Sequence, residues 1–355
     1  MTALIFLVVG LAIGIVAERL VPRRAPGPAG ASAGVPGVPA QPGVRKAPRR
    51  RRSRGRIVAW VAVGTVALVL LVTIGGYLWA SSVFNKIEKV DVAAQLSHGS
   101  GTNYLLVGSD NGRTAADQRV GVEGARSDTI MVLRVQDGKA KMLSLNRDLW
   151  VTNPATGQEG RLNATYNQGP ANLIAAVTKN FGIPIDRYIE IDFVSFGSLV
   201  DSFGGIDVTF ANPALDRASG LVVPNAGLVH LDGAQALAYV RSRHYTEVIN
   251  GKEVPEGGLP DVNRTARQQV FLRQIMSKAG AKRNPVTLMS AASKMTDGLR
   301  VDNEMTVLDA GRFAWSMGRL NPERVVLPVV PRTTSGGAAV LDKGPGADEV
   351  LAQFR

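Results

Sequence analysis

Residues Ile57 to Phe84 form 28 consecutive positions without a charged side chain, dominated by Val, Leu, Ala and Ile. An α-helix needs roughly 20 such residues to cross the hydrocarbon core of a bilayer, so this stretch predicts a transmembrane helix that splits the chain into two sides. Trp60, Tyr77 and Trp79 lie near its ends, where amphipathic rings favour the interface. Arg49, Arg50, Arg51, Arg52, Arg54 and Arg56 directly precede it, and basic flanks stay in the cytoplasm. The expected localisation is the cell membrane, with everything after residue 84 on the extracytoplasmic side.

The same basic run accounts for most of the net charge. Residues 1–56 hold eleven of the 41 Lys and Arg and one acid, Glu18, so of the formal +12 only +2 belongs to residues 57–355. A basic tail beside a membrane span is a topology signal, and nucleic-acid binding is discounted. Residues 22–56 are rich in Pro, Gly, Ala and Arg and poor in large apolar side chains, the composition of a disordered cytoplasmic linker. Residues 1–21 open with a second uncharged run, Met1 to Ala17, whose charges come last. A signal peptide carries its charges first. The preferred reading is a first short span and a two-span hairpin, with a signal-like segment or an extension from an upstream start as alternatives.

The absence of cysteine excludes disulfides, thiolate metal sites and cysteine nucleophiles. The three histidines, His98, His230 and His244, are scattered without ligand spacing. Chemistry in this chain has to rest on carboxylates, guanidinium groups, amides and hydroxyls.

Residues 85–100 read as an amphipathic connector and 101–355 as one folded domain. Tyr104 to Val107 predicts a buried strand running into Gly108-Ser109-Asp110. Thr129 to Leu133 predicts a second, preceded by Arg126-Ser127-Asp128, and Lys141 to Leu145 a third, followed by Asn146-Arg147-Asp148. If these strands are neighbours, three Asp-bearing clusters share one sheet edge, the place where open sheets bind ligands. Pro170–Asn180 and Phe196–Phe203 have helical spacing and are each stopped by glycine, while Tyr188–Phe193, Ile206–Phe210 and Val325–Val330 read as strands. Interleaved strands and helices predict an α/β fold with a mixed central sheet covered on both faces.

A second polar concentration spans residues 232–269. Asp232 is a good N-cap for the apolar run Ala234 to Val240, which places Arg241 and Arg243 where that helix ends. After a polar loop, Arg264, Arg267 and Gln268 stand at i, i+3 and i+4, on one face of a helix whose core stripe continues through Leu272, Ile275, Met276 and Ala279. Such a face is usually solvated. Four guanidinium groups around one loop also suit a phosphate or pyrophosphate, which planar forks grip better than lysine does.

Seven fragments in order resemble the LytR-CpsA-Psr (LCP) family of cell-envelope phosphotransferases over residues 100–283. They are Asn103-Tyr-Leu-Leu-Val-Gly-Ser-Asp110, Arg126-Ser-Asp-Thr129, Ser144-Leu-Asn-Arg-Asp148, Leu162-Asn-Ala164, Phe196 through Val200-Asp-Ser-Phe-Gly-Gly205, Leu237-Ala-Tyr-Val-Arg-Ser-Arg243, and Asp261 through Gln268. Asn146 stands where the family often has proline, Leu149 where it has a hydroxyl residue, and Pro260-Asp261-Val262 where it has Gly-Asp-Phe; the ionic residues are unchanged.

The resemblance implies transfer of a glycopolymer phosphate from a polyprenyl-pyrophosphate-linked glycan to peptidoglycan, with pyrophosphatase as a side activity. Within it, Asp110 and Asp128 are expected to hold Mg²⁺ or Mn²⁺. Arg126, Arg147, Arg241, Arg243, Arg264, Arg267 and Gln268 would surround the pyrophosphate, and Asp128 or Asp148 would deprotonate the attacking sugar hydroxyl. Arg147 has the alternative of pairing with Asp148. Phe193, Phe196, Leu199, Val200 and Phe203 are the residues named for a prenyl slot, with core packing as the competing use. The glycopolymer, whether teichoic-acid-like, capsular or arabinogalactan, is left open. Two other classes fit the same features: a polyprenyl-phosphate-binding protein without catalysis, and a membrane-anchored envelope regulator acting through its basic tail.

Overall fold

The computed structural model describes residues 54–97, 99, 101–110, 126–258, 260–281, 291, 293–317 and 319–355, with backbone alone for several, among them Asp110, Arg126, Asp128, Phe193 and Asp261. The expected first span and the linker up to residue 53 lie outside the described residues. The chain divides into two compact units, residues 1–79 and 80–355. Helix α1 (Arg54–Phe84) begins in the first and ends in the second. Its residues Ile57–Phe84 are long and apolar enough to cross a membrane. Trp60 and Leu71 are about three-quarters exposed on it (73% and 69%), and a helix apolar all round calls for a lipid solvent.

The second unit is organised on a seven-stranded sheet. Its first strands are β1 (Glu88–Val90), β2 (Thr102–Asp110), β3 (Arg126–Gln136) and β4 (Lys139–Ser144). The hairpin β5 (Trp150–Thr152) and β6 (Glu159–Arg161) leads through a 3₁₀ turn (Leu162–Gln168) to helix α2 (Pro170–Phe181) and back into the sheet as β7 (Arg187–Asp192). Helix α3 (Phe193–Ser202) is followed by small strands β8 (Ile206–Phe210), β9 (Ala214–Asp216), β10 (Leu221–Val223) and β11 (Gly227–Leu231). Then come helix α4 (Gly233–Arg241), strands β12 (Thr246–Ile249) and β13 (Lys252–Pro255), and the long helix α5 (Pro260–Ala281). The chain closes with β14 (Leu299–Asp302), α6 (Val307–Met317), β15 (Glu323–Val326), β16 (Val329–Thr333), β17 (Ala339–Lys343) and α7 (Ala347–Ala352).

The sheet order is β1-β14-β7-β2-β3-β4-β15. Strand β2 runs parallel to β7, and β2, β3 and β4 are consecutive antiparallel neighbours. The C-terminal ends of β2, β4 and β7 therefore share one edge with the N-terminal end of β3, as the Asp-bearing clusters required. Alternation sends Leu105, Val107, Ile130, Val132, Leu143 and Tyr188 to one face, where Leu162, Tyr166 and α2 cover them. Met131, Leu133 and Met142 point to the other, under Met276 of α5 and Phe313 of α6. A further core joins α3, α4 and α5 to the small strands through Val200, Phe203, Phe210, Tyr239, Phe271 and Ile275.

Two expectations change. The connector 85–100 contributes β1, which pairs in parallel with β14, so the folded unit begins well before residue 101. The strand expected over Val325–Val330 is two strands in two sheets, β15 beside β4 and β16 beside β17. Pro328 lies at the break, where it has no N–H to give a ladder.

Candidate active site

Strands β2 and β3 bring the first carboxylate positions together. Asp110 pairs directly with Arg126, and Ser109 with Ser127, but Gly108 pairs with Thr129, so Asp128 is an extra residue in a β-bulge. Bulges re-aim side chains and recur beside active sites. Asp110 and Asp128 thus sit on adjacent strands at the same sheet edge. A Cβ at Gly108 would stand 3.1 Å from the Thr129 Cβ, so the tight approach at the bulge suits glycine.

The Arg241-Ser242-Arg243 turn is set by the start of its own helix and by Asp216 of β9. Asp232 caps α4 by accepting from the Gln235 N–H (2.8 Å). Gly233 sits so close to α3 that a Cβ there would overlap the Gly197 carbonyl. Beyond the helix end, the buried carboxylate of Asp216 accepts from Ser242 Oγ (2.6 Å) and from the N–H groups of Arg243 (3.0 Å) and His244 (2.9 Å). Its second oxygen takes the Ala218 and Ser219 N–H groups. Burial works to raise the Asp216 pKa, but these donors outweigh it and hold the group below the usual carboxylate value. Asp216→Asn replaces a carboxylate oxygen by an NH2 donor among N–H and O–H donors and should loosen the turn, lowering the pyrophosphate cleavage that the resemblance implies about tenfold. Steady-state kinetics with thermal unfolding as control checks this; unchanged kcat/KM would remove Asp216 as a positioning residue.

Helix α5 completes the clamp. Gln268 donates from Nε2 to the Val240 carbonyl (3.3 Å), and Arg267 donates from Nη2 to the Ser242 carbonyl (2.7 Å) and from Nη1 to Glu256 (2.6 Å). The Arg267 guanidinium also lies 5.0 Å over the Tyr245 ring. The solvated face expected for this helix is therefore interior: Arg264 is 2% and Arg267 6% exposed. Arg267 and Gln268, expected at the pyrophosphate, bond to the protein and brace the turn that carries Arg241 and Arg243. One residue on, Gln269 donates to Ser144 Oγ (2.9 Å), which ties α5 to the end of β4 and hence to Asn146-Arg147-Asp148.

Asp148 stands between two arginines, with Arg147 Nε at 3.4 Å and Arg161 Nε at 3.3 Å. The pairing open in the sequence is thus present, and it adds Arg161. Behind the edge, fully buried Glu190 on β7 accepts from Ser109 Oγ (2.5 Å), Tyr166 (2.6 Å) and Tyr188 (2.7 Å), with Arg300 Nη1 at 3.2 Å. Arg300 also reaches Glu88 (2.9 Å). Val200 and Phe203, named for a prenyl slot, are buried core residues, with Phe196 and Leu199 packed against the same core. The Phe196 ring is 4.3 Å from that of Phe271. These side chains pack the α3–α5 layer, and Phe193 is described by backbone only.

Asp216, Glu190 and Arg161 were missed from sequence. Asp216 looks there like a turn residue before Arg-Ala-Ser-Gly, and Glu190 like the polar half of an alternating strand. The available signal was that Glu190 shares a strand face, at period two, with Tyr188 and Asp192.

Fold and site together define a protein with an apolar N-terminal helix and an α/β domain that brings two aspartate positions to one sheet edge and bonds that edge, through Gln269 and Ser144, to the helix bracing an arginine-bearing turn. The chain belongs to the LytR_cpsA_psr family, whose model matches residues 78–336. A Corynebacterium glutamicum relative described as probable cell wall biosynthesis protein LcpB is 32% identical over 314 residues, 85% of this chain and 71% of that one. The Enterococcus faecalis polyisoprenyl-teichoic acid–peptidoglycan teichoic acid transferase TagU is 29% identical over 266 residues, 70% of this chain and 80% of that one. The structure of a LytR-Csp2A-Psr enzyme from Actinomyces oris matches with a TM-score of 0.61 at 26% identity, covering 76% of this chain and 95% of that one.

Proposed function

We propose that this protein transfers a glycopolymer phosphate from a polyprenyl-pyrophosphate carrier to peptidoglycan, working on the extracytoplasmic face of the membrane. The observation that carries this reading is the arginine turn, Arg241-Ser242-Arg243, braced by Arg267 and Gln268 of α5, the helix that also bears buried Arg264 and bonds through Gln269 to Ser144 at the end of β4. Preorganised guanidinium groups stabilise the charge that develops as a phosphate leaves. Family membership and the names of the two relatives support the cell-wall assignment.

In the reaction a sugar hydroxyl of the acceptor forms a new O–P bond to the glycan-side phosphorus. The bridging O–P bond breaks, and polyprenyl phosphate leaves with the electron pair. The departing proton goes to a carboxylate of this edge, Asp128 or Asp148, the latter lying between two guanidinium groups. Asp110 and Asp128, on adjacent strands, suit a hard divalent cation that takes one or two carboxylates. Bound there, Mg²⁺ or Mn²⁺ would supply charge neutralisation at the phosphate oxygens.

The test is reconstitution of the full chain in lipid nanodiscs with polyprenyl-pyrophosphoryl glycan and peptidoglycan. Polyprenyl phosphate release with glycan incorporation is expected, along with slow hydrolysis when acceptor is left out and loss of both on chelating divalent metal. Tight retention of the lipid-linked glycan without turnover in Mg²⁺ would sink the reading and favour a carrier-binding protein.

A further inference from the structure

The Leu162-Asn163-Ala164 fragment has no role in the donor chemistry, yet it lies beside it. Leu162 is fully buried and anchors the segment. The Leu162 N–H donates to the Leu149 carbonyl (2.8 Å) and the Asn163 N–H to the Arg147 carbonyl (3.0 Å). The fragment is therefore hydrogen-bonded along the Arg147–Leu149 segment at the sheet edge. Between them opens a cleft of about 370 Å³ lined by Arg147, Asp148, Trp150, Arg161, Asn163 and Asn167, together with two alanines. Its volume falls in the range of small-molecule sites, roughly 300–1,000 Å³.

The lining has the chemistry of a saccharide site. Trp150 is a half-buried ring held in place, its Nε1–H donating to Glu159 (3.0 Å) and the Arg332 guanidinium lying 5.6 Å over it. Such a ring offers a flat apolar platform. The Asn163 and Asn167 amides each carry donors and an acceptor, the pattern that reads sugar hydroxyls and acetamido groups. The Asp148 carboxylate offsets one of the two guanidinium charges of Arg147 and Arg161, so the floor keeps a single net positive charge.

Position distinguishes acceptor from donor. Leu162 and Tyr166 of the 3₁₀ turn cover one face of the sheet, while α5, which carries Arg264, covers the other. Phosphoryl transfer needs the attacking and leaving oxygens roughly in line on opposite sides of phosphorus. With the arginine turn on the leaving side, the nucleophile belongs on the side of the 3₁₀ turn, whose Asn163 and Asn167 line this cleft.

We propose that the cleft is the acceptor subsite, which takes an N-acetylated hexosamine unit of the peptidoglycan glycan strand over Trp150 and presents its hydroxyl to the phosphorus. This rests on the transferase reading above, but its test does not. Binding of a soluble GlcNAc–MurNAc tetrasaccharide to the full-length protein is measured by titration calorimetry, alongside donor hydrolysis without acceptor and transfer with it. Trp150→Ala and Asn167→Ala should each weaken tetrasaccharide binding and raise the acceptor KM about tenfold. Donor hydrolysis and donor KM should stay unchanged, and Trp150→Phe should recover most of the loss. Unaltered tetrasaccharide binding in both alanine variants overturns the proposal. So does a raised donor KM with acceptor binding intact, which would make the cleft a site for the donor glycan. If the wild type shows no transfer yet loses tetrasaccharide binding on Trp150→Ala, the cleft stands and the transferase reading falls.

Discussion

Replacing Arg264 with alanine is expected to lower donor cleavage by about 10²–10³-fold, the usual loss on removing one preorganised donor from a developing charge. The size follows from burial. At 2% exposure the Arg264 guanidinium acts in a medium of low effective dielectric, where a charge contact is far stronger than in water. Arg264→Lys keeps the charge but replaces a planar fork by a flexible ammonium, and should recover only part of the rate. Polyprenyl phosphate release from nanodisc-held donor measures both variants. Thermal unfolding separates a lost contact from a lost fold, because the lysine variant keeps the helix interior filled. Wild-type kcat/KM in either folded variant would take Arg264 out of the reaction.

Replacing Glu190 with leucine should destabilise the domain by about 3–5 kcal/mol, the cost of removing one partner from a buried ionic network. Three hydroxyls, those of Ser109, Tyr166 and Tyr188, lose their acceptor, and Arg300 keeps Glu88 and the Tyr166 hydroxyl. Burial by itself would raise the Glu190 pKa, but the hydroxyl donors and Arg300 overcome it and leave the pKa below the usual value. Burial also raises the Tyr166 and Tyr188 pKa values, which keeps both rings protonated as donors. The sign of the pH dependence follows. A carboxylate whose pKa is depressed in the folded state contributes stability above its unfolded pKa, roughly 4.3 for glutamate. That contribution fades as pH falls through the lower folded value. Thermal midpoints measured from pH 7 down to 3 should therefore drop less steeply for Glu190→Gln than for the wild type. Parallel curves would mean that Glu190 does not carry the acid sensitivity. Ser109 precedes Asp110 on β2, so the same change is expected to relax the carboxylate edge.

The readings that held from sequence alone rest on local pattern. The alternation of Tyr188 to Asp192, the Asp232 cap and the Gly182 stop after Pro170–Phe181 each depend on period or backbone preference within a few residues, and each element forms as expected. The shared edge of Asp110, Asp128 and Asp148 was conditional on strand adjacency, which the β2-β3-β4 order supplies. Strand register decided what pattern could not: the bulge that singles out Asp128 exists only in the pairing of β2 with β3. The prenyl-slot residues show the opposite case. A Phe and Leu stripe at helical spacing reads alike for a ligand wall and for a core, and packing against Phe271 and Ile275 makes it core.

The sequence by itself determined the helix long and apolar enough to cross a membrane, the α/β class and the residue types available for chemistry, because hydropathy over 28 positions, strand and helix periods and the lack of cysteine are properties of the chain read locally. Tertiary structure decided which of these side chains bond within the protein. The i, i+3, i+4 spacing of Arg264, Arg267 and Gln268 puts them on one helix face without saying what that face meets. It meets the end of α4, where Arg267 and Gln268 bond to carbonyls and Asp216, from a strand distant in sequence, closes the turn. A buried polar group must find its partners wherever folding places them, and those partners lie 25 to 28 residues away in sequence.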